Sequence, residues 1–270
     1  MVGSSSGDLV AIHNARAKLN QFLAPKDNNR SVQMDSVTMA AIANGNKAIF
    51  NPNEKVSKAF TEGYYGRIAG FDFYENERTY AHTVGSDVTV ATSSSSATTD
   101  GGTTVTMNST DGNINAGDTF TIPKVFACHP ETKASTGQLM QFVATAASVG
   151  AITVSPTIYW SGARQNVCNA TGGASVVGDF DSETMTFNLG ATAATSYRHN
   201  LAYHQDAFTL VTADLPIMDD AHKCVRRTMD GLSLRVWMGS DIVNDALLCR
   251  LDILYGFKTL RPEWSCRITN

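Results

Sequence analysis

The stretch CRLDILYGFKTLRPEWSCRI, Cys249–Ile268, alternates apolar and polar side chains as a half-buried strand does. Cys249, Leu251, Ile253, Tyr255 and Phe257 fall on one face at the two-residue strand period, with Asp252, Gly256 and Lys258 on the other. The first set is predicted to face a core. Arg261-Pro262 then interrupts the ladder, because proline has no N–H to give a neighbouring strand. Beyond it Trp264, Cys266 and Ile268 alternate again, which predicts two strands joined at a corner and closing a domain. The pattern is one of packing, and it carries no reactive group.

Upstream of this tail the first eighty residues read as helical. Asp8 is a candidate N-cap, Leu9, Ile12, Leu19, Phe22 and Leu23 recur at helical spacing, and Pro25 ends the run. A second helix is predicted from Asp35 to Gly45, and a third from Asn51-Pro52. Composition changes near Val84, where charge falls and Thr, Val and Asp-Gly turn signals take over. Strands are expected at Asp87–Thr92, Thr103–Met107, Thr119–Ile122, Met140–Thr145 and Ile152–Ile158. The Gly- and Ala-rich stretches NATGGASVVG and NLGATAATS read as loops. Charged and aromatic residues return after about Tyr197, with strand-like DAFTLVTADL and LSLRVWMG. The expected organisation is an α+β core in two parts, residues 1–80 and 196–270, interrupted by a β-rich insertion over residues 81–195.

Bulk properties narrow the function classes. A chain of 270 residues buries roughly three-quarters of its unfolded surface, enough for a core without staples. A net charge of -4 argues against a protein whose main partner is a nucleic-acid backbone. The five cysteines, Cys128, Cys168, Cys224, Cys249 and Cys266, are scattered and never in C-x-x-C spacing, so neither a disulfide framework nor a zinc site is indicated. No apolar run approaches the ~20 residues needed to span a bilayer, and MVGSSSGDLV has no secretion-signal pattern. A membrane partner is not expected, and the thiols are expected reduced.

The search for chemistry is equally spare. His13, His82, His129, His199, His204 and His222 show no pairing at the spacing that puts two imidazoles on one helix face. DFDSE, Asp179–Glu183, lacks the glycine and distal glutamate of a calcium loop. No nucleophile elbow, phosphate loop or dinucleotide fingerprint is present, so no enzyme, catalytic residue, metal or cofactor is expected. A hydrolase using His204 and Asp206 would require their side chains to meet in a cleft. Asp219, Asp220, Arg226 and Arg227 are the candidate residues for a subunit interface, and Lys223 extends their basic cluster.

Three stretches, GRIAGFDFYENERTYAHTVG, NLAYHQDAFTLVTADLP and LCRLDILYGFKTLRPEWSCRI, resemble in order and spacing the coat proteins of tailed bacteriophages of the P22 type. AGDTFTIPKV, Ala116–Val125, resembles a turn and strand of that family's inserted domain. The resemblance runs from about Gly7 to the end of the chain. It implies the HK97 capsid fold, with axial and peripheral parts and an inserted all-β barrel. It also implies a major capsid protein that assembles with itself into hexamers and pentamers of an icosahedral shell. Scaffolding and portal proteins are the implied partners, with encapsidated DNA touched only non-specifically. Assembly in the host bacterial cytoplasm is implied as well. The family's N-terminal arm, extended loop and spine helix are expected ahead of the matching stretches and have no counterpart in them. The alternative is a β-rich phage tail or decoration protein, which would not need the helical first part.

Overall fold

A computed structural model describes residues 2–3, 9–45, 66–86, 89–91, 99–107, 113–148, 150–170, 179–187, 192–219 and 222–269. The chain divides into two compact units, Met1–Gln205 with Glu263–Asn270, and Asp206–Pro262.

The first unit begins with β1 (Val2–Gly3) and α1 (Leu9–Gln21). Ala11, Ile12, Ala15 and Leu19 recur at helical spacing and are the residues α1 buries. The helix ends at Leu23, whose φ of 58° is left-handed, and Pro25 follows. After β2 (Arg30–Met34), Asp35 caps α2 (Ser36–Gly45): its Oδ2 accepts the Thr38 N–H at 3.3 Å and its Oδ1 the Thr38 hydroxyl at 2.6 Å. Both predicted helices are therefore present, but β2 lies between them in a stretch the sequence pattern read as helical. The predicted third helix lies outside the described residues. β3 (Arg67–Ile68) and β4 (Phe71–Glu75) form a hairpin whose turn, Ala69-Gly70, takes positive φ at both positions. β5 (Tyr80–Thr83) follows.

The β-rich stretch supplies β6 (Thr89–Ala91), β7 (Gly102–Thr106), β8 (Thr119–Cys128), β9 (Ser135–Ser148), β10 (Ala151–Ile158), β11 (Val167–Cys168) and β12 (Thr184–Phe187). They pair antiparallel in the order β6-β12-β8-β9-β10-β7, with β11 on β8. Phe120, Phe142 and Phe187 pack ring on ring at the centre, with centroids 5.0 to 5.7 Å apart.

β13 (Ser196–His204) returns the chain to the first unit's other sheet. The second unit then contributes β14 (Phe208–Ala213), β15 (Lys223–Met229), β16 (Leu232–Asp241) and β17 (Ala246–Thr259), and β18 (Ser265–Thr269) ends the chain back in the first unit. The core sheet has the order β1-β18-β13-β2-β4-β3, with β5 also on β13. Val32, Met34, Phe71, Phe73, Ala202, Cys266 and Ile268 form its core with residues of α1 and α2. The result is a mixed, strand-rich fold.

Two expectations for the tail need correction. β17 and β18 do not pair with each other; β17 lies in the sheet β14-β17-β16-β15 and β18 pairs with β13 and β1. The corner at Arg261-Pro262, a single 3-10 turn over Pro262–Trp264, thus joins two separate sheets. The face carrying Leu251, Tyr255 and Phe257 is also not buried: these residues are 70%, 57% and 80% exposed. Alternation establishes that a strand has an apolar side, but not that the same chain covers it.

Candidate assembly surface

Residues paired across an antiparallel ladder share a face, and successive residues alternate. Leu234 stands opposite Ile253, Val236 opposite Leu251 and Met238 opposite Cys249. β15 adds Val225 opposite Val236 and Met229 opposite Leu232, while β14 adds Leu210 opposite Phe257. One face of the four-stranded sheet is therefore largely apolar, interrupted on β15 by Lys223 and Arg227, and most of its large apolar side chains are exposed. Contiguous apolar surface on this scale marks an interaction site.

The opposite face carries a charged cluster at its centre, with Val211, Leu248 and Leu254 also on that face. Arg235, buried at 5% exposure, donates from Nε and Nη2 to Asp252 Oδ2 at 3.1 and 2.5 Å, and from Nη1 to the Pro216 carbonyl at 2.7 Å. Arg250 donates to the other Asp252 oxygen. The two guanidinium groups lie 5.4 and 5.7 Å from the Trp237 ring centre, within cation–π range. These bonds, first Arg235 and then Arg250, hold the Asp252 carboxyl below its usual range. The segment before β15 is tied to this face, since Arg226 donates to the Leu215 carbonyl at 3.3 Å and pairs with Asp214 at 3.5 Å.

The residues singled out from sequence fall around this sheet without converging. Arg226 lies opposite Arg235 on the charged face, whereas Arg227 lies opposite Leu234 on the apolar face. Asp219 is exposed in the segment between β14 and β15, and Asp220 lies outside the described residues. The apolar residues of β17 are exposed where their alternation predicts a core, and those of β16, predicted only to form a strand, share their face.

The histidine and carboxylate candidates go elsewhere. The His204 Nε2 meets Asp27 Oδ1 at 2.8 Å, and its ring packs edge-on to Trp264. That hydrogen bond is the first cause lowering the Asp27 carboxyl to about 2. Glu183 of the acidic run pairs with Lys124. His82 joins Asp118, a pairing between residues too far apart in sequence for any spacing rule to find. Among the described residues no cluster of three or more metal-type ligands forms, and no helix is long and apolar enough to cross a membrane.

A sheet with an exposed apolar face, on a strand-rich scaffold, has the means to associate. The family model described as P22 coat protein, gene protein 5, matches residues 14–266 of the 270. None of the curated proteins matches the chain. Coat proteins of this family are structural, forming the capsid of the virion by self-assembly. A match over nearly the whole length selects this reading over a tail or decoration protein, and the chain belongs to the P22 coat protein family, as a major capsid protein of a bacteriophage.

Proposed function

We propose that this chain is an HK97-type shell subunit, with axial and peripheral parts formed by residues 1–80 and 196–270 and an inserted β-barrel domain over 81–195. Hexamers and pentamers of it build an icosahedral shell around DNA, which it touches only non-specifically. Scaffolding and portal proteins guide the assembly in the host cytoplasm. The observation that carries the reading is the apolar face of β14–β17 in a member of a coat-protein family: it is covered in the assembled shell. A repeated subunit multiplies modest contacts by symmetry, so complementary surfaces suffice where an enzyme needs reacting groups. Asp219, Asp220, Arg226 and Arg227 are the polar interface residues of this reading and set register between neighbours.

Electron microscopy of the purified protein, with sedimentation velocity to size its particles, tests this. Rings or shells are expected; a chain that stays monomeric at all concentrations, with and without scaffolding protein, overturns the reading.

A further inference from the structure

A buried polar cluster joins the core sheet to the inserted sheet, and the capsid role leaves it unused. From β5 comes His82, from β13 His199 and from β18 Arg267; the turn before β8 contributes Gly117 and Asp118. Asp118 is fully buried. Its Oδ1 lies 2.7 Å from His82 Nε2, and its Oδ2 accepts the N–H groups of Gly85 at 3.0 Å and Asn115 at 2.9 Å. Two backbone N–H groups donate to it, and the imidazole adds a third donor in the tautomer that carries its proton on Nε2. Gly117 closes over His82: a Cβ there would lie 2.9 Å from the imidazole Cε1.

The second histidine has the opposite surroundings. Arg267 Nη1 donates to the Gly117 carbonyl at 3.1 Å and to His199 Nδ1 at 3.4 Å. A guanidinium has no acceptor, so His199 Nδ1 must offer its lone pair and the neutral ring carries its proton on Nε2. That Nε2 is buried without a hydrogen-bond partner. His199 also lies 5.2 Å from His82 and 6.2 Å from Tyr80, ring centre to ring centre. Lys18 of α1, close to Arg267 and Cys266, donates to Gln141 on β9, giving the junction a further tie. Among the described residues the groups facing His199 are thus one guanidinium, one imidazole and one phenol, with the Asp118 charge beyond them.

We propose that this cluster is an acid-releasable latch between the inserted sheet and the core sheet, with His199 as the protonation site and Arg267 as the bolt. A proton on His199 Nδ1 replaces the lone pair that Arg267 uses by an N–H aimed at a like charge. Arg267 then leaves both His199 and the Gly117 carbonyl, and the turn carrying Asp118 loses one of its holds on the core. Burial first and Arg267 second push the His199 pKa down to about 4, against 6.5 for a free imidazole. A depressed value means the opened junction binds the proton more tightly. The closed latch is therefore favoured above 6.5 and loses ground as pH falls from there through about 4. The proposal stands on this geometry and not on the assembly reading.

Amide hydrogen exchange of the full-length chain, corrected for intrinsic rates, tests it. On going from pH 7.5 to pH 5 the Gly85 and Asn115 amides should exchange about 30-fold faster, the linkage factor for a group moving from 6.5 to about 4. Amides of Val32 and Phe142, in the two sheet cores, should hold their protection. His199→Gln should keep Gly85 and Asn115 protected at pH 5. Unchanged exchange in the parent protein, loss at Val32 and Phe142 together with the junction, or the same acid response in His199→Gln would each overturn the latch. Should that variant not fold, the His199 ring titration in the parent protein decides by NMR: a midpoint near 4 supports the latch and one near 6.5 removes it.

Discussion

Arg235 and Asp252 stand directly opposite each other in the β16–β17 ladder and are joined by two hydrogen bonds to a single carboxylate oxygen. The pair sits where a sheet open on its other side has few hydrophobic contacts to rely on. It also fixes Arg235 so that Nη1 reaches the Pro216 carbonyl, tying the β14–β15 connection to the charged face. Order on one face accompanies exposed apolar side chains on the other.

Asp252→Asn should lower the melting temperature at pH 7, since it removes the acceptor charge from two guanidinium groups. The native carboxyl is held below its usual range, so its contribution is present above ~4 and disappears as pH falls below that. Melting curves of the two proteins should therefore draw together as pH falls below ~4. A gap of the same size at pH 7 and pH 3 would mean that the charge of Asp252 does not stabilise the sheet.

Phe257→Lys should separate folding from assembly. Phe257 is 80% exposed, so the substitution should change the stability of the unassembled chain by no more than ~0.5 kcal/mol. In a shell each large apolar side chain that becomes covered contributes about 1.5–3 kcal/mol, and a buried lysine reverses that at every repeat. Particles should be lost in micrographs while urea midpoints stay put. Tyr255→Asp should behave the same way; a collapse of the midpoint would show that the face is covered within the chain itself.

Asp27→Asn tests the link between the loop after α1 and β13. The parent carboxyl titrates at about 2, held down first by His204, against ~4 in an unfolded chain. Its stabilising effect is present above ~4 and is lost as pH falls towards 2. Urea unfolding should therefore show Asp27→Asn less stable than the parent at pH 7, with most of that difference gone at pH 2. Equal stability at both values would leave the His204 contact without energetic weight.

The elements with a strong local signal were legible in sequence. Asp35 caps α2, Ile12 and Leu19 face the core, and the alternating tail forms the strand β17. What was not legible depends on which surfaces meet. Leu251 and Val32 are both apolar residues on strands, yet one is exposed and the other fully buried, because Val32 packs with residues of α1 and α2 and Leu251 joins neither of the buried clusters. Arg226 and Arg227 read as one basic cluster, but the strand period sends them to opposite faces. The contacts of Asp118 with His82 and of Arg267 with Gly117 join residues 36 and 150 positions apart, beyond the reach of any motif.

Two glycine-to-alanine substitutions with opposite expected signs test the fit between core and inserted sheets. At Gly85 an added Cβ would lie 2.2 Å from the Asn113 carbonyl oxygen and 2.8 Å from Asp118 Oδ2. The nearer obstacle is backbone, so it cannot turn aside as a side chain would, and the turn carrying Asp118 must shift. Overpacking of this kind costs about 1–3 kcal/mol. At Gly239 on β16 nothing lies within 4 Å of an added Cβ and φ is not left-handed, so alanine fits. Removing the glycine's freedom in the unfolded chain should then stabilise by about 0.4–1 kcal/mol. Chemical denaturation of both variants measures the difference. If Gly85→Ala is as stable as Gly239→Ala, the junction is looser than its backbone contacts imply, and the close approach that seats Asp118 against Gly85 is not under compression.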